Sequence, residues 1–252
     1  MGEEKVLEGC GIVVTRPAGQ AAELVAPLRR LGATVRERPL VAIAPPADPA
    51  ALRGALAALD DFSWIAFTSA NAVRACAACA PSAVRWPAVA CVGAGTARAA
   101  AAAGMTVALV PDVFSGEGLA RALVQTGVAG ERVLWPRASG AREVLASVLR
   151  AAGADVIEVE CYRTLPDVAA AVALAGELRD HPADVLVFTS PSAVRACAAA
   201  AGTLPAGAVA VMGEVTGGAA RAAGWEVQVR PGEQSIPGLV MALAEWWQSP
   251  GR

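Results

Sequence analysis

The chain of 252 residues has one lysine (Lys5), one histidine (His181) and one tyrosine (Tyr162), and aromatic residues make up only 4% of it. A single histidine, set before a proline in RDHPAD, leaves little room for a His-based nucleophile relay. No GxSxG, HExxH or Walker lysine loop is present either. No apolar run reaches the roughly 18–20 residues of a membrane span, which excludes an apolar transmembrane helix. The start, MGEEKVLEGCG, lacks the basic region and apolar stretch of a secretory signal. A soluble, cytoplasmic protein is expected. Positive charge is not in excess: the formal net charge is −2. That argues against wholesale nucleic-acid binding, which wants a basic footprint. Nearly all positive charge is arginine, which the heavy alanine content marks as composition bias.

Six cysteines are present: Cys10, Cys76, Cys79, Cys91, Cys161 and Cys197. Cys76-Ala-Ala-Cys79 has the spacing of redox or metal chemistry. A zinc site needs about four ligands, and no second CxxC or histidine cluster supplies them. The pair sits in an apolar helical pattern, so the cysteines are read as small buried hydrophobes. No metal site is expected.

What the chain has in abundance is repetition. FTSANAVRACAACA, residues 67–80, returns as FTSPSAVRACAAAA, residues 188–201, with 11 of 14 positions identical. VACVGAGTARAAAAAGMTVALVPDVFSGEGLARAL, from Val89, is echoed by VAVMGEVTGGAARAAGWEVQVRPGEQSIPGLVMAL, from Val209, at an offset of 120. A fainter pair links VVTRPAGQAAELVAPLRRLGATV, from Val13, to VLWPRASGAREVLASVLRAAGADV, from Val133. Three pairs in one order at one offset indicate a duplicated domain.

Each copy alternates short β-branched runs with alanine- and leucine-rich helical stretches. The expected fold is α/β, with parallel sheets flanked by helices in two similar domains. Gly32, Gly104, Gly153 and Gly224 each close a helical stretch before a strand, where a left-handed cap favours glycine. Pro27 should kink the first helix. The extended segments 36–43 and 156–164, each closed by prolines, read as connectors between the two globular units.

In parallel sheets ligands collect beyond the C-terminal strand ends, at helix N-termini. The repeated motifs fall there. Thr68-Ser69-Ala70-Asn71 and Thr189-Ser190-Pro191-Ser192 each follow a strand and open a helix. The turns at Gly93–Thr96 and Gly213–Thr216, and at Ser115 and Ser235, have the same character. Each could be simple helix capping. Their number, twice over, points to a ligand with many negative groups lying between two similar domains. A dinucleotide fingerprint is the rival, since Gly93-Ala-Gly95 precedes Asp112. It lacks the third glycine, with Arg98 in that place, and the equivalent turn carries Glu214. Tyr162, in Cys-Tyr-Arg-Thr, is either an interface residue or a phenol able to give a proton to a leaving group.

The ordered set VTRPAGQ (14–20), FTSANAVR (67–74), VGAGTA (92–97), FSGEGL (114–119), WPRASGARE (135–143), YRT (162–164), FTSPSAVR (188–195) and SIPGL (235–239) resembles uroporphyrinogen-III synthase over nearly the whole chain. The resemblance implies two domains joined by a two-stranded β-ladder. Domain 1 is discontinuous, residues 1–37 plus 166–252; domain 2 is 44–157; the connector strands are 38–43 and 158–165. It implies cyclisation of hydroxymethylbilane, an octacarboxylate, to uroporphyrinogen III with loss of water and inversion of ring D. No metal or organic cofactor is implied. Tyr162 is the implied catalytic residue. The implied substrate-binding residues are Thr15, Arg16, Thr68, Ser69, Ala70, Asn71, Gly93, Thr96, Ser115, Arg137, Ser190, Pro191, Ser192, Gly213 and Thr216. The implied partner is the substrate, handed over by hydroxymethylbilane synthase to a monomer, with no nucleic acid or membrane. Two positions depart from the family pattern: Gly217-Gly218 at a helix start and Trp135 in place of a small or aliphatic residue. The competing expectation is a non-catalytic module of the same fold that senses a tetrapyrrole or another polyanion. Such modules are usually fused to a DNA-binding domain, which is not expected in a chain that runs out at WWQSPGR.

Overall fold

The computed structural model describes residues 5–201 and 207–250. The chain splits into two compact units, Met1–Ala42 with Leu165–Arg252 (unit 1) and Ile43–Thr164 (unit 2). Residues 1–4, 202–206 and 251–252 of the expected domain 1 lie outside the described residues.

Unit 1 opens with β1 (Gly11–Val14), α1 (Ala18–Arg30) and β2 (Thr34–Glu37). The chain passes through β3 (Val41–Ala44) into unit 2. There it forms α2 (Pro49–Ala57), β4 (Trp64–Phe67), α3 (Ala70–Cys79), β5 (Ala88–Cys91) and α4 (Ala94–Ala102). Next come β6 (Val107–Leu109), α5 (Gly116–Gln125), β7 (Arg132–Ala138) and α6 (Val144–Ala151). It returns along β8 (Asp155–Pro166). Unit 1 is completed by α7 (Val168–Asp180), β9 (Val185–Phe188), α8 (Pro191–Ala201), β10 (Ala208–Val211), α9 (Glu214–Ala222) and α10 (Ile236–Gln248).

Unit 1 holds a four-stranded sheet in the order β10-β9-β1-β2, and unit 2 a six-stranded sheet in the order β3-β8-β7-β4-β5-β6. The pairings within β10-β9-β1-β2 and within β8-β7-β4-β5-β6 are parallel. Alternation across each sheet explains the near-continuous apolar strands, because both faces are covered. In β9, Val185 and Val187 pack into one core with Ile12, Val14 and Leu24, while Leu186 and Phe188 pack into the other with Val13 and Leu174. In β4, Ile65 and Phe67 join Val73 and Cys76 on one face, and Ala66 joins Leu119 and Trp135 on the opposite one.

β8 does two things. Over its first eight residues it is a paired strand of the unit 2 sheet, from Arg132↔Asp155 to Ala138↔Tyr162, with a register shift between Arg137 and Ala138. Its far end and the adjacent strand β3 carry the two covalent passages between units. Val156, Val159, Cys161 and Tyr162 are buried, which is why this segment stays in the sheet. The helix-closing glycines Gly32, Gly104, Gly153 and Gly224 have φ of 96°, 78°, 87° and 79°. Pro27 lies within α1, which runs three residues past it.

Candidate active site

The parallel strands of unit 2 end in a set of helix N-termini. Ser69 follows β4 and caps α3, its hydroxyl accepting the Ala72 N–H at 3.1 Å. Gly93 follows β5 and opens α4. Ser115 caps α5 by accepting the Gly118 N–H at 3.0 Å. The last two turns are neighbours, because a Cβ placed on Gly93 would lie 3.2 Å from the Phe114 ring. Gly93 is thus where the backbone passes under a side chain.

Unit 1 repeats the arrangement. Ser190 accepts the Ala193 N–H at 3.3 Å, and Ser235 accepts the Gly238 N–H at 3.1 Å. A Cβ on Gly213 would meet Gln234, the counterpart of Phe114, at 2.6 Å. Each unit therefore presents amide groups of three helix starts at one end of its sheet, a setting that favours anions. Thr96 and Thr216 are buried within the second of these turns.

Tyr162 is placed among these groups in unit 2. Its phenol oxygen lies 3.1 Å from the Ser69 hydroxyl. The ring is buried in the core that holds Val73 and Cys76. Burial pushes the phenol above its ordinary pKa. The hydrogen bond with Ser69 opposes this, neighbouring Cys161 adds to it and the hydrogen bond with Asn71 again opposes it. The phenol is protonated across the neutral range and has a hydroxyl relay at hand.

Other expected site residues have protein partners. Thr15 is buried, and its hydroxyl donates to the Val187 carbonyl at 2.8 Å, tying β1 to β9. Thr68 accepts the indole N–H of buried Trp135 at 3.3 Å. Asn71 accepts from Arg74 at 3.2 Å, and Ser192 from Arg195 at 3.4 Å. Arg16 follows Thr15 at the end of β1, and Ala70 and Pro191 begin α3 and α8. Arg137 lies over the Trp135 ring, donates to the Ala141 carbonyl at 2.9 Å and pairs with Glu158 at 3.1 Å. A substrate carboxylate at Arg137 would compete with Glu158.

The cysteines of the CxxC lie on α3, with Cys76 buried and Cys79 half-buried. A hydrogen bond with Cys161, then burial, push the Cys76 thiol well up, so it stays protonated. Among the described residues no group of three or more His, Cys, Asp or Glu side chains could hold a metal ion. No described helix is long and apolar enough to cross a membrane. A surface hollow of about 200 Å³ along α5 is bordered by Asp112, Glu117 and Arg121, so its charge does not suit a polycarboxylate.

The family model described as Uroporphyrinogen-III synthase HemD matches residues 22–241. A curated uroporphyrinogen-III synthase from Synechococcus elongatus is 34% identical over 96% of this chain and 97% of its own length. The chain belongs to the uroporphyrinogen-III synthase family. A uroporphyrinogen-III synthase from Escherichia coli is 32% identical over 60% of this chain and 64% of its own. Two solved structures share the fold. A mutant uroporphyrinogen III synthase from Thermus thermophilus aligns with TM-score 0.63 at 19% identity, covering 95% of this chain and 99% of that one. The uroporphyrinogen-III synthetase from Helicobacter pylori aligns with TM-score 0.62 at 17% identity, covering 94% and 98%.

Within this uroporphyrinogen-III synthase family member, several groups beside the expected site residues carry no role in the sequence motifs. Glu158 holds both Arg137 and Arg150, the latter at 2.9 Å. Glu214, which the sequence marked only as a departure from the dinucleotide fingerprint, holds Arg221 and Arg230. Phe114 and Gln234 overlie the glycine turns. The two copies compared position by position also single out the partners of Glu214, since Arg221 and Arg230 stand where the other copy has Ala101 and Val110.

Proposed function

We propose that the chain is a uroporphyrinogen-III synthase, a cyclising lyase that closes hydroxymethylbilane with loss of water and inversion of ring D. The observation that carries the chemical step is the buried, protonated phenol of Tyr162 at 3.1 Å from the Ser69 hydroxyl, beside a helix N-terminus. In this reading the phenol protonates the ring A hydroxyl as it leaves, and Ser69 and Asn71 steady the developing phenolate. In unit 2, carboxylates of the substrate are held by amide groups at the helix starts capped by Ser69, Gly93 and Ser115; the helix starts of unit 1 capped by Ser190 and Gly213 have the same anion-binding chemistry. Fixing the bilane so that ring D attacks through its substituted carbon is a matter of positioning and of electrostatic support for the cation. The reading includes a cytoplasmic monomer that receives its substrate from hydroxymethylbilane synthase, since a bilane that closes by itself to the I isomer favours a short transit. The test is to supply fresh hydroxymethylbilane and separate the product isomers. Mostly III isomer is expected. Only the spontaneous I isomer, from folded protein, would overturn the reading and leave the non-catalytic module.

A further inference from the structure

The Gly213 turn of unit 1 carries three charged side chains that its twin in unit 2 lacks. Glu214 is the first residue of α9, directly beyond β10. Its carboxylate takes two arginines: Arg230 Nη1 donates to Oε2 at 2.5 Å, and Arg221 Nη2 donates to Oε1. Arg230 follows Val229, which pairs in parallel with Ala210 of β10, so its backbone leaves the sheet at this same end. Arg221 starts in the last turn of α9 and lies back toward the helix N-terminus, the direction in which helical side chains lean. Gly217 leaves that lane open, because a Cβ there would be 3.3 Å from Arg221 Nη1.

At the offset of 120 these four positions, Glu214, Gly217, Arg221 and Arg230, correspond to Ala94, Ala97, Ala101 and Val110. The framework of the turn is the same in both copies, with Gly93 and Thr96 matching Gly213 and Thr216. The copies therefore differ together at the four positions that bring two guanidinium groups onto one carboxylate. Side-chain exposures of 51% for Arg221, 52% for Arg230 and 59% for Glu214 leave the pairs screened by water. Such pairs contribute little to folding, and they exchange partners readily.

We propose that Arg221 and Arg230 form a binding pair for one carboxylate of the substrate, with Glu214 as a tethered competitor that occupies them until that carboxylate displaces it. The inference rests on the functional reading above and adds a specificity element at a helix start of unit 1. Two arginines against one internal carboxylate leave one net positive charge at a helix N-terminus, which selects for an anion. An incoming carboxylate can take both guanidinium groups and the amides behind Glu214 together. Because the bound form must first lose the internal pairing, Glu214 lowers apparent affinity and eases product release.

The test is a fluorescence titration of the wild type, Glu214→Gln, Arg230→Gln and the Glu214→Gln/Arg230→Gln double variant with uroporphyrin III, the oxidised form of the proposed product. Glu214→Gln keeps side-chain length and should lower Kd by about threefold to tenfold. Arg230→Gln should raise Kd, and the double variant should lose most of the gain, as coupled neighbours do. A parallel calorimetric titration with benzenehexacarboxylate reads the arginine pair without reference to tetrapyrroles. A Kd that Glu214→Gln leaves unchanged or raises, for both ligands and with thermal unfolding intact, overturns the inference even where the wild type makes the III isomer. Tighter benzenehexacarboxylate binding in a protein that yields only I isomer supports the arginine pair and rejects the function.

Discussion

The phenol oxygen of Tyr162 and the hydroxyl oxygen of Ser69 are 3.1 Å apart, although 93 residues separate them in sequence. The contact joins a strand of unit 2 to the cap of α3. If the phenol protonates the departing hydroxyl, Tyr162→Phe should lower kcat by about 100-fold with little change in KM, the usual scale of a general acid. A Ser69→Ala variant should lose a smaller part of kcat and about 1 kcal/mol of stability through the missing cap. Steady-state kinetics on both variants check this. A Tyr162→Phe enzyme within about a factor of two of wild type would leave the tyrosine a packing residue.

Burial holds several acids in their protonated form. The Cys91 and Cys197 thiols are each pushed up to about 11, in both cases by burial, and Tyr162 is also raised. A folded pKa above the unfolded one means that the native state keeps protons that the unfolded chain releases. The associated stability is complete below the unfolded thiol value of about 8.5 and is lost as pH rises toward the folded value. Unfolding free energies from urea titrations should therefore fall between about pH 8.5 and 11, by on the order of 3 kcal/mol per thiol. Cys91→Ala/Cys197→Ala should flatten that limb. An equally steep limb in the double variant would remove these two thiols as its cause.

Gly118 and Gly238 occupy equivalent places in the two copies. A Cβ on Gly118 would sit 2.1 Å from the Val113 carbonyl oxygen, and one on Gly238 would sit 2.6 Å from that of Glu233. The obstructing atoms belong to the backbone, so the loop itself must move. Gly118→Ala and Gly238→Ala should each cost about 2 kcal/mol or more, near the upper range for single substitutions. The exposed Gly218→Ala, with no atom near its added carbon, is the control and should be neutral or mildly stabilising. Chemical denaturation of the three variants decides it.

Glu177 on α7 receives Arg38 Nε at 2.5 Å and Arg36 Nη1 at 2.7 Å. The hydrogen bond from Arg38, aided by Arg36 and opposed by burial, holds its carboxyl below the usual carboxylate range. A lowered folded pKa contributes stability above the unfolded value of about 4.3 and loses it as pH falls through the folded value. Glu177→Gln should cost about 1 kcal/mol at neutral pH, the scale of a modest ion pair. The difference from wild type should be full at neutral pH and shrink as pH falls below about 4, which denaturation midpoints followed from pH about 7 into acid would show.

Strand and helix alternation, the duplication and the strand-end turns were legible in the sequence, because they depend on local patterns. Apolar runs of four, serine caps and helix-closing glycines carry their meaning within a few residues. The family resemblance was legible for the same reason, since its motifs are those turns in order. The partners of the polar groups were not. That Arg137 meets Glu158, that Trp135 donates to Thr68 and that Arg36 and Arg38 share Glu177 depend on which elements pack together.

The sequence by itself determined that two parallel α/β units would form and that anion-ready helix starts would cluster at their strand ends. Side-chain periodicity and backbone propensity are sufficient for that. Only the tertiary structure decided that the one tyrosine would reach the cap of α3, that β8 would be both sheet strand and connector, and that Glu214 would hold two arginines. Pairings across tens of residues are set by the register of neighbouring strands and the packing of helices on them. A linear pattern does not encode either one residue at a time.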